Sequence, residues 1–217
     1  MATITTTRIS ETDLLIEEYG YDDHFHEHHG DDKFQSSFIT TYIFSQDHKM
    51  IAKQFLITGM FWGVMGAMMS LVFRMQLGFP EESLMWLKPV LGKWITVADG
   101  IGTLAPEFYY ALVTIHGTVI VFFVLTAGLS GTFSNLLIPL QIGARDMASP
   151  LLNMLSYWFF FLAGAIMFAS LFLSTGPFSG GWTAYPPLSA LPQASAGSGA
   201  GMTMWTVSLV FFVVSVL

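Results

Sequence analysis

The sequence predicts an all-α fold, a polytopic bundle of transmembrane helices behind a disordered acidic N-terminal tail, and three observations carry that prediction. Hydrophobic residues make up 53% of the chain and charged residues only 11%, a balance that yields long apolar segments. Apolar runs of roughly membrane-spanning length recur at about 54–74, 108–130 and 151–174, with a shorter fourth run at 202–217. Charge is segregated: residues 1–48 carry ten acids against Arg8 and Lys33, whereas residues 49–217 carry six basic and five acidic groups, none beyond Asp146. Such a chain offers no basic face for nucleic acid. With no cysteine, disulfides and thiolate metal sites are excluded.

Residues 1–46 form a polar, acidic, His-rich extension, and residues 47–217 the membrane domain. The extension has no basic segment leading into an apolar one, so it does not read as a signal peptide. It contains DDHFHEHHGDDK, in which His24, His26, His28 and His29 alternate with carboxylates. That cluster reads either as a loose metal-binding segment or as a solvated, disordered stretch. Residues 38–46 are more apolar and suit a membrane surface.

The first span, QFLITGMFWGVMGAMMSLVF, gives 20 uncharged residues between Lys53 and Arg74, enough to cross ~30 Å of hydrocarbon. Gly59, Gly63, Gly66, Ala67 and Ser70 form a small-residue stripe suited to close helix approach. Arg74 ends the span, placed to snorkel to the interface. Residues 75–106 form a polar loop in which WLKPVLGKWITVADG suggests a short interfacial helix, since tryptophan favours that depth.

The second span carries one ionisable residue, His116, beside Gly117. An ionisable group in hydrocarbon is costly, so an intramembrane histidine marks a functional site by default. An imidazole there ligates a metal or haem iron, relays protons, or hydrogen-bonds a neighbouring helix. Phe108, Tyr109, Tyr110, Phe122 and Phe123 suit either a flat ligand or ordinary helix packing. After residue 130 a polar hinge is expected, containing Asn135, Arg145, Asp146 and Asn153. Asp146 there reads as the mouth of a water-filled proton path or as a cap on the third helix. The third span follows, then a Gly/Pro/Ser-rich loop, then the fourth run, which reads as a helix cut off by the end of the chain. Loop lysines and arginines divide evenly, Lys49, Lys53 and Arg145 against Arg74, Lys88 and Lys93, so they do not orient the bundle.

The HG pair in the second span, SGTFSNLLIPLQIGARDMASPLLNMLSYW after it, and the later GWTAYPPLS occur in one order over about residues 47–217. Together with the opening DHKMIAKQFL, this pattern resembles subunit I of the haem-copper oxidases, more narrowly the cytochrome c oxidase type. The family pattern runs approximately GGFGN-x-x-x-PL-x-IGA-x-DMAFPR-x-NN-x-S-x-W and then GW-x-x-YPPLS. The resemblance implies that His116 is an axial ligand of a low-spin haem, of a type, and that Arg74 contacts the haem periphery. It places Trp182 and Tyr185 near the haem propionates. It makes Asp146 the entrance acid of a proton channel lined by Asn135 and Asn153. It puts the N-terminus and Asp146 on the cytoplasmic side, in a bacterial inner membrane.

The resemblance further implies a terminal oxidase that reduces O₂ to water with electrons from cytochrome c and pumps protons. A second haem and copper are implied too, but their ligands lie outside this sequence, since no histidine follows His116. The chain then reads as an N-terminal portion, inactive alone. Its implied partners are the rest of subunit I, subunits II and III, an electron donor and membrane lipid. Two alternatives stand beside this reading: a quinol oxidase of the same family, and a non-redox membrane protein whose His116 and Asp146 relay protons. Two departures from the pattern are visible. SGTFSN replaces two glycines of GGFGN, and DMASPLLNM loses the arginine and, at Met154, the second asparagine.

Overall fold

A computed structural model describes residues 38–80, 82–191, 193–194 and 199–216. The acidic extension with its histidine cluster lies outside the described residues. Of the unit Met1–Thr41 only residues 38–41 are described, and they are helical; the helix bundle belongs to the unit Tyr42–Leu217.

Four helices build the bundle: α1, His48–Gly78; α2, Pro106–Ile142; α3, Pro150–Ser170; and α4, Ala200–Val216. The first three are long and apolar enough to cross a membrane, and α4 is a shorter apolar helix. The chain is thus an all-α membrane protein, with a single small hairpin added among the described residues. Helix α1 starts six residues before the expected span, because Asp47 caps it by accepting from the Lys49 backbone N–H at 3.0 Å.

The second helix corrects the sequence reading most. A polar hinge was expected after residue 130, yet α2 continues through Asn135 and Pro139 to Ile142 and ends at Gly143 with φ of 69°. Proline removes only one N–H donor, and packing holds the rest of the turn in place. Gly131 helps: an added Cβ there would lie 2.8 Å from the Phe55 ring of α1. Between Val119 and Ser130 the backbone winds as a wider π-helix. The hinge shrinks to residues 143–149. Helix α3 also ends earlier than expected, at Ser170, where its last turn tightens into Leu171 N–H to Phe168 carbonyl bonding.

Helices α1 and α2 pack along most of their length, as the small-residue stripe predicts. At Gly59 and Gly128 the backbones nearly touch, with room for no Cβ on either side. Gly66 is likewise closed in by Ile120. One aromatic cluster joins all four helices. Phe123 of α2 lies 5.3 Å from Trp62 of α1, 5.8 Å from Phe160 of α3 and 5.7 Å from Phe212 of α4. Polar ties reinforce α4: Trp205 Nε1 donates to Thr118 Oγ1 at 3.0 Å, and Ser208 Oγ donates to the Ala163 carbonyl at 2.7 Å.

The loop between α1 and α2 is also corrected. Besides one helical turn at Lys88–Leu91, it forms a hairpin of β1, Ile95–Ala98, and β2, Ile101–Leu104. Ala98 pairs with Ile101, which leaves a two-residue turn, Asp99-Gly100, with φ of 51° and 81°. Positive φ at both positions is what an Asp-Gly hairpin turn supplies. The hairpin is tied down where Gln76 Oε1 accepts from Leu104 N–H at 2.8 Å. Trp94 stacks on Phe108 at 4.9 Å, and Lys93 Nζ donates to the Ser174 carbonyl.

Candidate functional site

Two polar sites lie along α1, about 27 Å apart at 1.5 Å per residue from His48 to Gly66. The first centres on His116. Its Nδ1 lies 2.8 Å from the Gly66 carbonyl of α1. A carbonyl oxygen only accepts, so Nδ1 carries the hydrogen and the neutral ring keeps its free lone pair on Nε2. The close packing at Gly66 brings that carbonyl within reach. The contact serves the helix-packing reading and also fixes the tautomer a metal-ligating histidine needs, since such rings commonly donate their other nitrogen to a carbonyl. The Phe73 ring meets the imidazole edge to face at 5.5 Å.

The other expected residues gather around His116 unevenly. Gly66, Ser70 and Arg74 repeat every four residues and share one stripe of α1. Arg74 is exposed, with its Nε donating to Ser70 Oγ at 3.0 Å. Trp182 lies against the residue after His116: a Cβ on Gly117 would stand 3.2 Å from Trp182 Cδ1. The loop is held there by Gly181 N–H, which donates to Thr114 Oγ1 at 3.0 Å. Tyr185, by contrast, has a side chain 72% exposed and is not brought to His116 by any described contact. Of the aromatics on α2, Phe108 and Phe123 are core, Tyr109 packs on Phe73, Phe122 meets Trp182, and Tyr110 is exposed.

The second site lies at the other end of α1. His48 is buried, and its Nδ1 is 3.2 Å from Asp146 Oδ1 and 3.6 Å from Asp47 Oδ1. Asp146 Oδ1 also accepts from the Met147 N–H at 2.7 Å. The expectation that Asp146 caps α3 does not hold: Ser149 occupies the N-cap without a side-chain bond, and Asp146 binds the loop instead. One ligand atom each from Asp47, His48 and Asp146 lie within 4.8 Å of one another, close enough to share a cation. Sequence reasoning missed His48. The DHK motif contains it, but a partner 98 residues away leaves no local signal.

Beside Asp146, a cleft of about 560 Å³ opens between α2, α3 and α4. Asn135 and Asn153 both line it, as does Met147, the neighbour of Asp146. Asn135 is 4% exposed; its Nδ2 donates to the Gly131 carbonyl at 2.8 Å, and its Oδ1 has no partner among the described residues. Asn153 Nδ2 is buried and equally unpartnered among them. Met154, at the lost second asparagine, packs in the hydrophobic core and does not line the cleft.

Comparison with known proteins shows the family. The family described as cytochrome c and quinol oxidase polypeptide I matches residues 50–217. The alternative cytochrome c oxidase subunit 1 of Bradyrhizobium diazoefficiens is 36% identical over 82% of this chain and 27% of its own length. Cytochrome c oxidase subunit 1 of Thermostichus vulcanus is 35% identical over 78% of this chain and 26% of its own. Ubiquinol oxidase subunit 1 of Acetobacter aceti is 36% identical over 76% and 22%. The chain therefore spans about a quarter of the length of these relatives. Matched by that family over residues 50–217 and about 36% identical to these relatives, this protein belongs to the haem-copper oxidase subunit I family.

Proposed function

We propose that this chain forms part of the catalytic subunit of a terminal oxidase, holding its low-spin haem and the intake of its proton path. The observation that carries the reading is His116 Nδ1 bonded to the Gly66 carbonyl, which leaves Nε2 as the free lone pair. His116 would hold the haem iron through Nε2. Arg74, on the same stripe of α1 as Gly66, and Trp182, against Gly117, would bound the haem edge, with Tyr185 further out. When bound, a haem of a type supplies one-electron transfer toward the site where O₂ is reduced to water. The residues gathered around His116 include no second histidine to hold copper. Within 50–217 the only histidine is His116, so copper and the second haem would need ligands from outside this family-matched segment.

At the other end, Asp146 would take protons from the cytoplasmic side of a bacterial inner membrane. Both contacts of its carboxylate fall on Oδ1, so Oδ2 would carry the incoming proton. His48 holds the carboxylate at the mouth, and the unpartnered atoms of Asn135 and Asn153 offer polar partners to water beyond it. The membrane domain from residue 47 would work with the rest of subunit I, subunits II and III, and lipid, while residues 1–46 stand apart as an extension.

The electron donor has two readings, because relatives named for cytochrome c and for ubiquinol are equally similar at 36%. We favour cytochrome c. Oxygen consumption by the purified complex, given reduced cytochrome c or ubiquinol in turn, tests both. Rapid turnover with cytochrome c supports the first reading, turnover with ubiquinol alone moves the assignment to the second, and turnover with neither contradicts the proposed activity.

A further inference from the structure

Two buried threonines, Thr114 and Thr118, sit one turn apart on α2, on either side of His116 in sequence. Each hydroxyl donates back to the carbonyl four residues earlier, Thr114 Oγ1 to Tyr110 at 2.8 Å and Thr118 Oγ1 to Thr114 at 2.9 Å. That commits the hydrogen and leaves the lone pairs free to accept. Each threonine then takes one donor from off the helix. Thr118 takes Trp205 Nε1 of α4, and Thr114 takes the backbone N–H of Gly181 at 3.0 Å. Thr114 is only 2% exposed, so water has little access to that bond.

What arrives with Gly181 is Trp182. Gly181 has φ of 84°, a conformation glycine adopts freely, and its carbonyl closes a turn by accepting from Ala184 N–H at 3.0 Å. The chain is thereby fixed on both sides of Trp182. Its indole lies against the bare backbone of Gly117, three residues on from Thr114 and on the same face of α2, and meets the Phe122 ring at 6.3 Å. The histidine is thus held by α1 through the Gly66 carbonyl, while its neighbour is covered by the loop between α3 and α4. We propose that Thr114 is a positioning residue for the haem site: its hydroxyl docks the Gly181–Ala184 turn so that Trp182 keeps water from the backbone beside His116. Ferric haem carries one more positive charge than ferrous haem, so water admitted there favours the oxidised state and lowers the reduction potential. The effect on haem rests on His116 as its ligand; the docking of the loop does not.

The test uses the assembled oxidase with Thr114→Val, which keeps the shape and loses the hydroxyl, and Thr114→Ser, which keeps the hydroxyl. Hydrogen exchange of the Gly181–Ala184 amides reads the dock, and a spectroelectrochemical titration of the low-spin haem reads its effect. Thr114→Val is expected to speed exchange at Gly181 about fivefold, the factor one hydrogen bond of ordinary net strength carries, and to lower the midpoint potential. Thr114→Ser restores both. Added to Trp182→Ala, Thr114→Val is expected to lower the potential no further than Trp182→Ala does alone, because it acts through that ring. The proposal is overturned if Thr114→Val leaves the exchange or the potential unchanged, if serine fails as valine does, or if the shifts of Thr114→Val and Trp182→Ala add in full. Should His116→Ala retain the low-spin haem while Thr114→Val still frees the Gly181 amide, the haem role falls with the ligand assignment and the dock stands.

Discussion

Replacing Gly59 by alanine tests how the bundle positions His116. An ideal Cβ on Gly59 falls 2.8 Å from Gly128 Cα and 3.5 Å from its carbonyl carbon, where ordinary contact is 3.4–4 Å. The obstacle is backbone and cannot rotate aside, so α1 and α2 must part by roughly 0.6–1.2 Å, the difference between those distances. Overpacking of this kind costs about 1–3 kcal/mol. The displacement reaches Gly66 two turns on and stretches its 2.8 Å contact with His116 toward the limit of a useful hydrogen bond. Gly66→Ala meets instead the Ile120 side chain at 2.6 Å, which can change rotamer, so it costs less than Gly59→Ala. Gly78→Ala, with nothing within 4 Å, is the control. Equilibrium unfolding in mixed micles of rising SDS content should rank Gly59→Ala least stable, then Gly66→Ala, then Gly78→Ala. If Gly59→Ala is as stable as the control, the glycine contact does not set the helix separation and the reasoning fails.

Three further outcomes follow from other contacts. Trp205→Phe removes the buried Nε1–H that reaches Thr118 Oγ1 at 3.0 Å, and should lower stability by ~1 kcal/mol in the same unfolding assay. Gly100→Val places a β-branched residue at φ of 81° in the hairpin turn; amide exchange in Ile95–Leu104 should speed up while that of α1 stays unchanged. Asp146→Asn keeps the loop shape but removes the charge that faces His48, and should slow proton uptake and turnover with haem content unaltered; unimpaired turnover would remove Asp146 from the path.

How far the sequence reveals this molecule depends on the range of each interaction. Apolar runs identify three spans because bilayer thickness demands a given length, and His116 stands out because one ionisable side chain interrupts such a run. Helix ends are less legible. Asn135 looks like the start of a polar hinge, but Gly131 packing on Phe55 keeps α2 helical past it and past Pro139. The hairpin did leave a local signal, Asp99-Gly100 between two β-prone stretches, obscured by the tryptophans that suggested an interfacial helix. Pairings such as His48 with Asp146 or Trp182 with Gly117 depend on how helices cross, which no local pattern encodes. Tyr185 marks the opposite limit: motif alone singles it out, and its side chain stands 72% exposed.

The central claim is that His116 ligates haem iron through Nε2. The most direct measurement is a reduced-minus-oxidised visible spectrum of the membrane complex carrying His116→Ala, compared with the native complex at equal subunit content. The account predicts that the variant still inserts but loses the low-spin haem signal. A full low-spin signal in that variant would contradict it, leaving the bond to the Gly66 carbonyl as helix packing alone.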